Sequence, residues 1–129
     1  MTVELHYLVL VTALTAVLWV PYILNRLAVR GIADTVGYPE TPKPQSPWAA
    51  RLQKAHVNAV ENLVVFAALL LAAHAAGVSN DVTVWAAQLY FWARLVHAIA
   101  YTLAWPWVRT LAFTAGFVGQ AAFAWQLLG

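Results

Sequence analysis

Cysteine is absent from these 129 residues, methionine occurs once, and only 9% of positions carry a formal charge. Without a thiol there is no disulfide, no thiolate metal ligand and no cysteine nucleophile, so any thiol chemistry must use a thiol brought by a second molecule. Acid and base are both scarce, five Asp and Glu against seven Lys and Arg, for a net charge of +2. That charge is too small and too concentrated to act on nucleic acid. It is also missing over long runs: none falls from Leu5 to Asn25, from Asn62 to Asn80 or from Thr110 to Gly129, and Val82 to Val108 is broken only by Arg94. With 63% hydrophobic residues and seven Trp, the composition excludes an ordinary soluble domain and predicts four membrane-spanning helices.

Proline is sparse as well, and four of the six prolines lie in GIADTVGYPETPKPQSP, residues 31–47. This is the one extended connection the sequence predicts. The turns at GVSND (77–81) and WPW (105–107) are short, which predicts antiparallel neighbours in one all-α, four-helix, up-and-down bundle spanning residues 1–129. Glu4 precedes the first run and Arg26 and Arg30 follow it, the reverse of a secretory signal, so that run is expected to persist as a helix. Basic residues gather at Arg26, Arg30, Lys43, Arg51, Lys54 and Arg109, and none falls at the N-terminus or in the 77–82 turn. The positive-inside rule then places the 31–47 loop in the cytoplasm and both termini outside, in a multi-pass protein expected in a bacterial inner membrane. Tyr7, Trp85 and Trp125 would lie at the outer interface, and Trp48, Trp105 and Trp107 at the inner one.

The polar residues inside the spans form two stripes. At about 100° per residue, Arg51, Lys54, Asn58, Glu61 and Asn62 share one face of the second helix, and His56 points elsewhere. Tyr90, Arg94, His97, Tyr101 and Trp105 share one face of the third, and Arg109, Phe113, Gly116 and Gln120 one face of the fourth. With a helical rise of about 1.5 Å, Glu61 and Arg94 fall at similar depth, about 18 and 15 Å from the basic end, so the two are expected to pair. An unpaired charge there costs about 2.5 kcal/mol or more, so each needs a partner or a water-filled cleft.

RLQKAHVNAVEN (51–62), with RLVHAIAY (94–101) and PWVRTLAF (106–113), resembles the pattern of the membrane-associated proteins in eicosanoid and glutathione metabolism, the MAPEG family, which includes microsomal glutathione transferases. The first segment is similar to that family's Arg-x-x-(Arg/Lys)-Ala-x-x-Asn-x-x-Glu, and the likeness covers roughly residues 48–129. The resemblance implies a homotrimer that binds glutathione as cosubstrate between subunits near the cytoplasmic face. It implies that Arg51, Asn58 and Glu61 hold the tripeptide with Arg94, His97 and Tyr101, joined by either Arg26 or Arg30 from the first helix. Arg109 matches the family arginine that stabilises the glutathione thiolate, a catalytic role in keeping with a guanidinium favouring the anionic form of a thiol. Thr110 stands where the family's prostaglandin synthase has a serine, Phe113 where it has a tyrosine and Val57 where it has an arginine, so prostaglandin isomerisation is not expected.

The implied function is a glutathione-dependent transferase, conjugating or reducing a small hydrophobic electrophile that arrives through the bilayer. The alternative is a catalytically silent MAPEG-like membrane protein with a structural or ligand-binding role; a small transporter is disfavoured because the polar stripes stop in one half of the membrane. Glu61 with Arg94 could equally be a buried bridge fixing helix register, and Arg51 and Lys54 could be interfacial anchors. No metal site is expected, since no two of His6, His56, His74 and His97 share a helix face at ligand spacing. Ala112, Ala115, Gly116 and Gly119 read as close helix packing.

Overall fold

Pro21 has no amide hydrogen and its ring crowds the carbonyl four residues back, so the first long helix breaks near Val17. The computed structural model, which describes all 129 residues, accordingly divides it into α1 (Val3–Val17) and α2 (Trp19–Val36), with the Leu18 amide making a long 3.4 Å bond to Thr15 O. Three further helices follow, α3 (Pro47–Ala75), α4 (Asp81–Thr102) and α5 (Pro106–Leu128), and there is no strand. With α1 and α2 end to end, the chain is a bundle of four rods.

The helix ends carry local signals. Thr2 accepts the Leu5 amide at the start of α1, and Asn80 with Thr83 forms a reciprocal capping box at the start of α4. Pro47 and Pro106 open α3 and α5, where a missing amide hydrogen costs nothing. Gly77, at φ 71°, closes α3 in the left-handed conformation, and Val78 N reaches back 2.8 Å to Ala73 O. Ala104 does the same for α4 at φ 60°, with Trp105 N bonded to Ala100 O at 2.8 Å.

One expectation is corrected, and a second is met in part. The connection predicted over residues 31–47 is shorter, because α2 continues to Val36 and bends at Gly31 (φ 76°, ψ 169°), leaving 37–46 as the loop. Glycine punctuates this helix without ending it. The four runs also differ in character: Val3–Val36, Pro47–Ala75 and Pro106–Leu128 are long and apolar enough to cross a membrane, while α4, diluted by Gln88, Tyr90, Arg94, His97 and Tyr101, is less apolar.

In lipid, helices associate through close packing and hydrogen bonds rather than through escape from water. Phe66 of α3 stacks on Tyr90 of α4 at 3.7 Å between centroids and 7° between planes, and Phe123 of α5 meets Phe66 edge-on at 5.7 Å. Val11, Leu70, Ala73, Ala86 and Ala87 complete this core. A Cβ at Gly119 would meet Ala86 O at 3.0 Å and one at Gly116 would meet the Arg94 side chain at 3.6 Å, so these small residues let α5 lie close against α4. At the far end from the 37–46 loop, the buried Glu4 carboxylate accepts Ser79 Oγ at 2.6 Å and Thr83 Oγ1 at 3.0 Å, tying α1 to the α3–α4 turn.

Candidate functional site

Spacing of three and four residues brings Tyr90, Arg94, His97 and Tyr101 onto one face of α4, and α3 and α5 cover that face within a single chain. Arg94 is only 4% exposed. Its Nη2 donates to Asn58 Oδ1 at 2.7 Å, and its Nε has no partner. The expected pairing with Glu61 does not occur: Glu61 is exposed on the outer side of α3, about one turn from Asn58. Depth alone matched the two charges; the azimuth of the α3 stripe, which wraps outward at Glu61, separates them.

The α3 stripe divides in the fold. Lys54, Asn58 and Glu61 line an open groove of about 480 Å³, walled also by Gln53, Val57 and Tyr101. Arg51 turns toward the end of α4, where its Nε donates to Thr102 O at 2.9 Å. Asn62 turns inward, donating to Asn58 O at 2.9 Å and Oδ1 at 3.3 Å, and its carbonyl accepts Gln120 Nε2 at 3.2 Å. Asn62 thus holds Asn58 in place and Gln120 ties α5 to the α3 backbone, rather than either lining the groove.

The tight turn at Ala104 lays the first turn of α5 against the last turn of α4. As a result the Arg109 guanidinium lies 5.0 Å over the Tyr101 ring, a cation–π geometry. Arg51, Tyr101 and Arg109 line a second cavity of about 240 Å³, so Tyr101 is a wall shared by groove and cavity. His97 packs edge-on against Tyr101 at 5.7 Å and beside Phe113 at 6.1 Å, and its Nδ1 is buried without a partner. Thr110 donates its hydroxyl to Pro106 O at 2.9 Å, so α5 offers the cavity a cation and no hydroxyl from this position.

Of the two first-helix arginines, Arg26 reaches toward the groove, with Nη2 at 3.4 Å from both Gln45 Oε1 and Gln53 Oε1. Arg30 is held by the loop instead, its Nε donating to Lys43 O at 2.7 Å. Sequence reasoning missed the residues that seat this corner: Asn25 exchanges hydrogen bonds with Ser46, Gln45 donates to Tyr22 O, and Tyr22 Oη lies 2.8 Å from His56 Nδ1. Neutral polar pairs far apart in sequence leave no periodic signal, although a polar Asn-Arg pair at the end of an apolar run marked the place. No group of three or more metal-ligating side chains forms, and His6 and His74 are exposed.

The model of the MAPEG family matches residues 9–129, essentially the whole chain. No curated protein and no solved structure matches it significantly.

Proposed function

The chain belongs to the MAPEG family, and from that premise we propose that it is a glutathione-dependent transferase that conjugates or reduces a small hydrophobic electrophile. Family membership and three long apolar helices make it an integral membrane protein. The observation that carries the proposal is the shared wall at Tyr101: a peptide held along Lys54, Asn58 and Glu61 would have its thiol within reach of the cavity that contains Arg109.

The chemistry follows from the residue types. Asn58 offers donors and acceptors suited to a peptide backbone, Glu61 an acceptor for an ammonium group, and Arg26, Arg51 and Lys54 cations for carboxylates. Arg94 fixes Asn58 and adds positive potential; His97 and Tyr101 shape the passage. Arg109 favours thiolate over thiol. In conjugation the thiolate sulfur forms the C–S bond as the leaving group departs from the electrophilic carbon with its electron pair. In reduction it attacks a peroxide oxygen, the O–O bond breaks to release the alcohol, and a second glutathione displaces water from the resulting sulfenic acid to give glutathione disulfide. With Thr110 turned to its own helix and a phenyl ring at Phe113, stabilisation of the anion falls to Arg109. Glu61 is exposed on a single chain, and a polar face in lipid must be covered, which supports a homotrimer with the groove closed by a neighbouring subunit. The basic end, with residues 31–47, faces the cytoplasm and its glutathione; a bacterial inner membrane fits this arrangement.

The same absence of an α5 hydroxyl in the cavity favours a second reading, a glutathione-binding member without turnover. Calorimetric titration of detergent-purified protein with glutathione, followed by thiolate absorbance and turnover of an aromatic electrophile, separates the two. Binding with a thiolate signal and turnover supports the transferase; binding alone supports the silent protein; no binding overturns both.

A further inference from the structure

The end of α2 is built unlike the rest of the bundle. From Val3 to Val36 the first rod runs 34 residues, about 51 Å of helix against a hydrocarbon layer of about 30 Å. Arg26 and Arg30 mark where it leaves the apolar layer. Directly after Arg30, Gly31 adopts φ 76° and ψ 169°, and the helix resumes in a new direction through Val36. The break is pinned: Thr35 Oγ1 donates to Gly31 O at 2.7 Å and back across the bend to Arg26 O at 3.2 Å.

What this pinned turn displays is apolar. Ile32 is 74% exposed, Val36 76%, and Tyr38, just past the helix end, fully exposed. Ile32 and Val36 are four residues apart and share a face, while Asp34 projects from nearly the opposite side. An exposed apolar pair held by side-chain hydrogen bonds, with acid on the reverse face, has the form of a short amphipathic foot. It lies on the same end of the bundle as the aromatic rings of Trp48, Trp105 and Trp107, beside the cations Arg26 and Arg30.

We propose that residues 32–38 form an interfacial foot, bent back at Gly31 so that Ile32, Val36 and Tyr38 enter the headgroup layer of the bilayer while Asp34 faces water. The occupant of this face is the lipid surface itself. Continuity with the aromatic belt and the adjacent basic residues, which suit anionic headgroups, favour lipid over protein. The foot also fixes the end of α2 from which Arg26 extends toward Gln53, but its membrane contact does not depend on glutathione binding.

The chain's lack of cysteine makes the test direct. Single cysteines at Ile32, Asp34 and Val36, carrying an environment-sensitive fluorophore, are compared in phosphatidylcholine vesicles containing phosphatidylglycerol. The expected result is blue-shifted emission at 32 and 36, quenched by headgroup-proximal nitroxide lipid and resistant to iodide, with red-shifted emission at 34 that iodide quenches. Two results overturn the foot: 32 and 36 quenched by iodide as readily as 34, or 32 and 36 shielded from lipid and iodide quenchers alike, which would place a protein surface over them. Elution identical to the unlabelled protein shows that each labelled chain is folded, so quenching reports position alone.

Discussion

Arg94 of α4 and Asn58 of α3 are joined by a 2.7 Å hydrogen bond, and it is this contact, not an ion pair, that holds the buried guanidinium. A cation at this depth whose protein partner is a neutral amide has no carboxylate to neutralise it. Asn58 is therefore both a scaffold residue and a groove residue, and its replacement should show in two measurements. Asn58→Ala leaves Arg94 without its acceptor, a loss of about 1–3 kcal/mol; it should lower the thermal midpoint in detergent and weaken glutathione binding together. Glu61→Gln, on an exposed side chain, should weaken binding and leave the midpoint of the separated chain unchanged. Equal midpoints for wild type and Asn58→Ala would contradict the structural half of this assignment.

Arg109→Ala should raise the pKa of bound glutathione and slow conjugation at neutral pH by about 10- to 1,000-fold, on the scale of single electrostatic contacts in active sites. The thiolate is stabilised when Arg109 is present, so the rate deficit should shrink as pH rises through the thiol's pKa. Affinity should change less than rate. A pH–rate profile for wild type and variant, with calorimetry on both, reads each quantity; a deficit independent of pH would argue against thiolate stabilisation.

The α4–α5 contact makes a sharp contrast between two neighbouring glycines. Gly119→Ala places a methyl 3.0 Å from Ala86 O, a backbone atom that cannot swing away, and should cost about 1–3 kcal/mol. Gly116→Ala finds its nearest atoms at ordinary contact, 3.6 Å and beyond, and should be tolerated. Thermal denaturation of the pair in one detergent is the check, and the order of the two midpoints is the result that matters.

Ala104 holds a left-handed backbone that costs an L-residue about 1 kcal/mol and a glycine little. Ala104→Gly should therefore be neutral to mildly stabilising at equilibrium, whereas Ala104→Val should destabilise and disturb the Arg109–Tyr101 contact. Fluorescence-detected unfolding of both variants measures the sign.

Orientation is open to labelling with a membrane-impermeant maleimide. Cysteine at Thr41 should be protected in intact cells and cysteine at His74 modified; the opposite pattern would put the groove on the outside, away from cytosolic glutathione.

The rods were legible because charge is excluded from lipid: three runs free of Asp, Glu, Lys and Arg and a fourth broken only by Arg94 located them, and the short turns fixed their antiparallel order. Helical periodicity placed Arg94, His97 and Tyr101 on one face, as the fold has them. It failed where a stripe curves, since Lys54, Asn58 and Glu61 line the groove while Arg51 and Asn62 turn to α4 and α5. Depth along an axis carries no information about azimuth between helices, which is why Glu61 and Arg94 seemed matched on paper. The Glu4 latch was hidden for another reason: its partners, Ser79 and Thr83, lie at sequence separations of 75 and 79 and are both uncharged.

The Phe66–Tyr90 stack, met edge-on by Phe123, fills the core between α3, α4 and α5 one to two turns beyond Asn58 and Arg94. On their inner side the buried Arg94 and its partner Asn58 therefore meet packed rings. A bundle packed in this way holds a guanidinium among its helices while three aromatic rings fill the adjoining layer, so the cost of the buried charge is confined to one level of the fold.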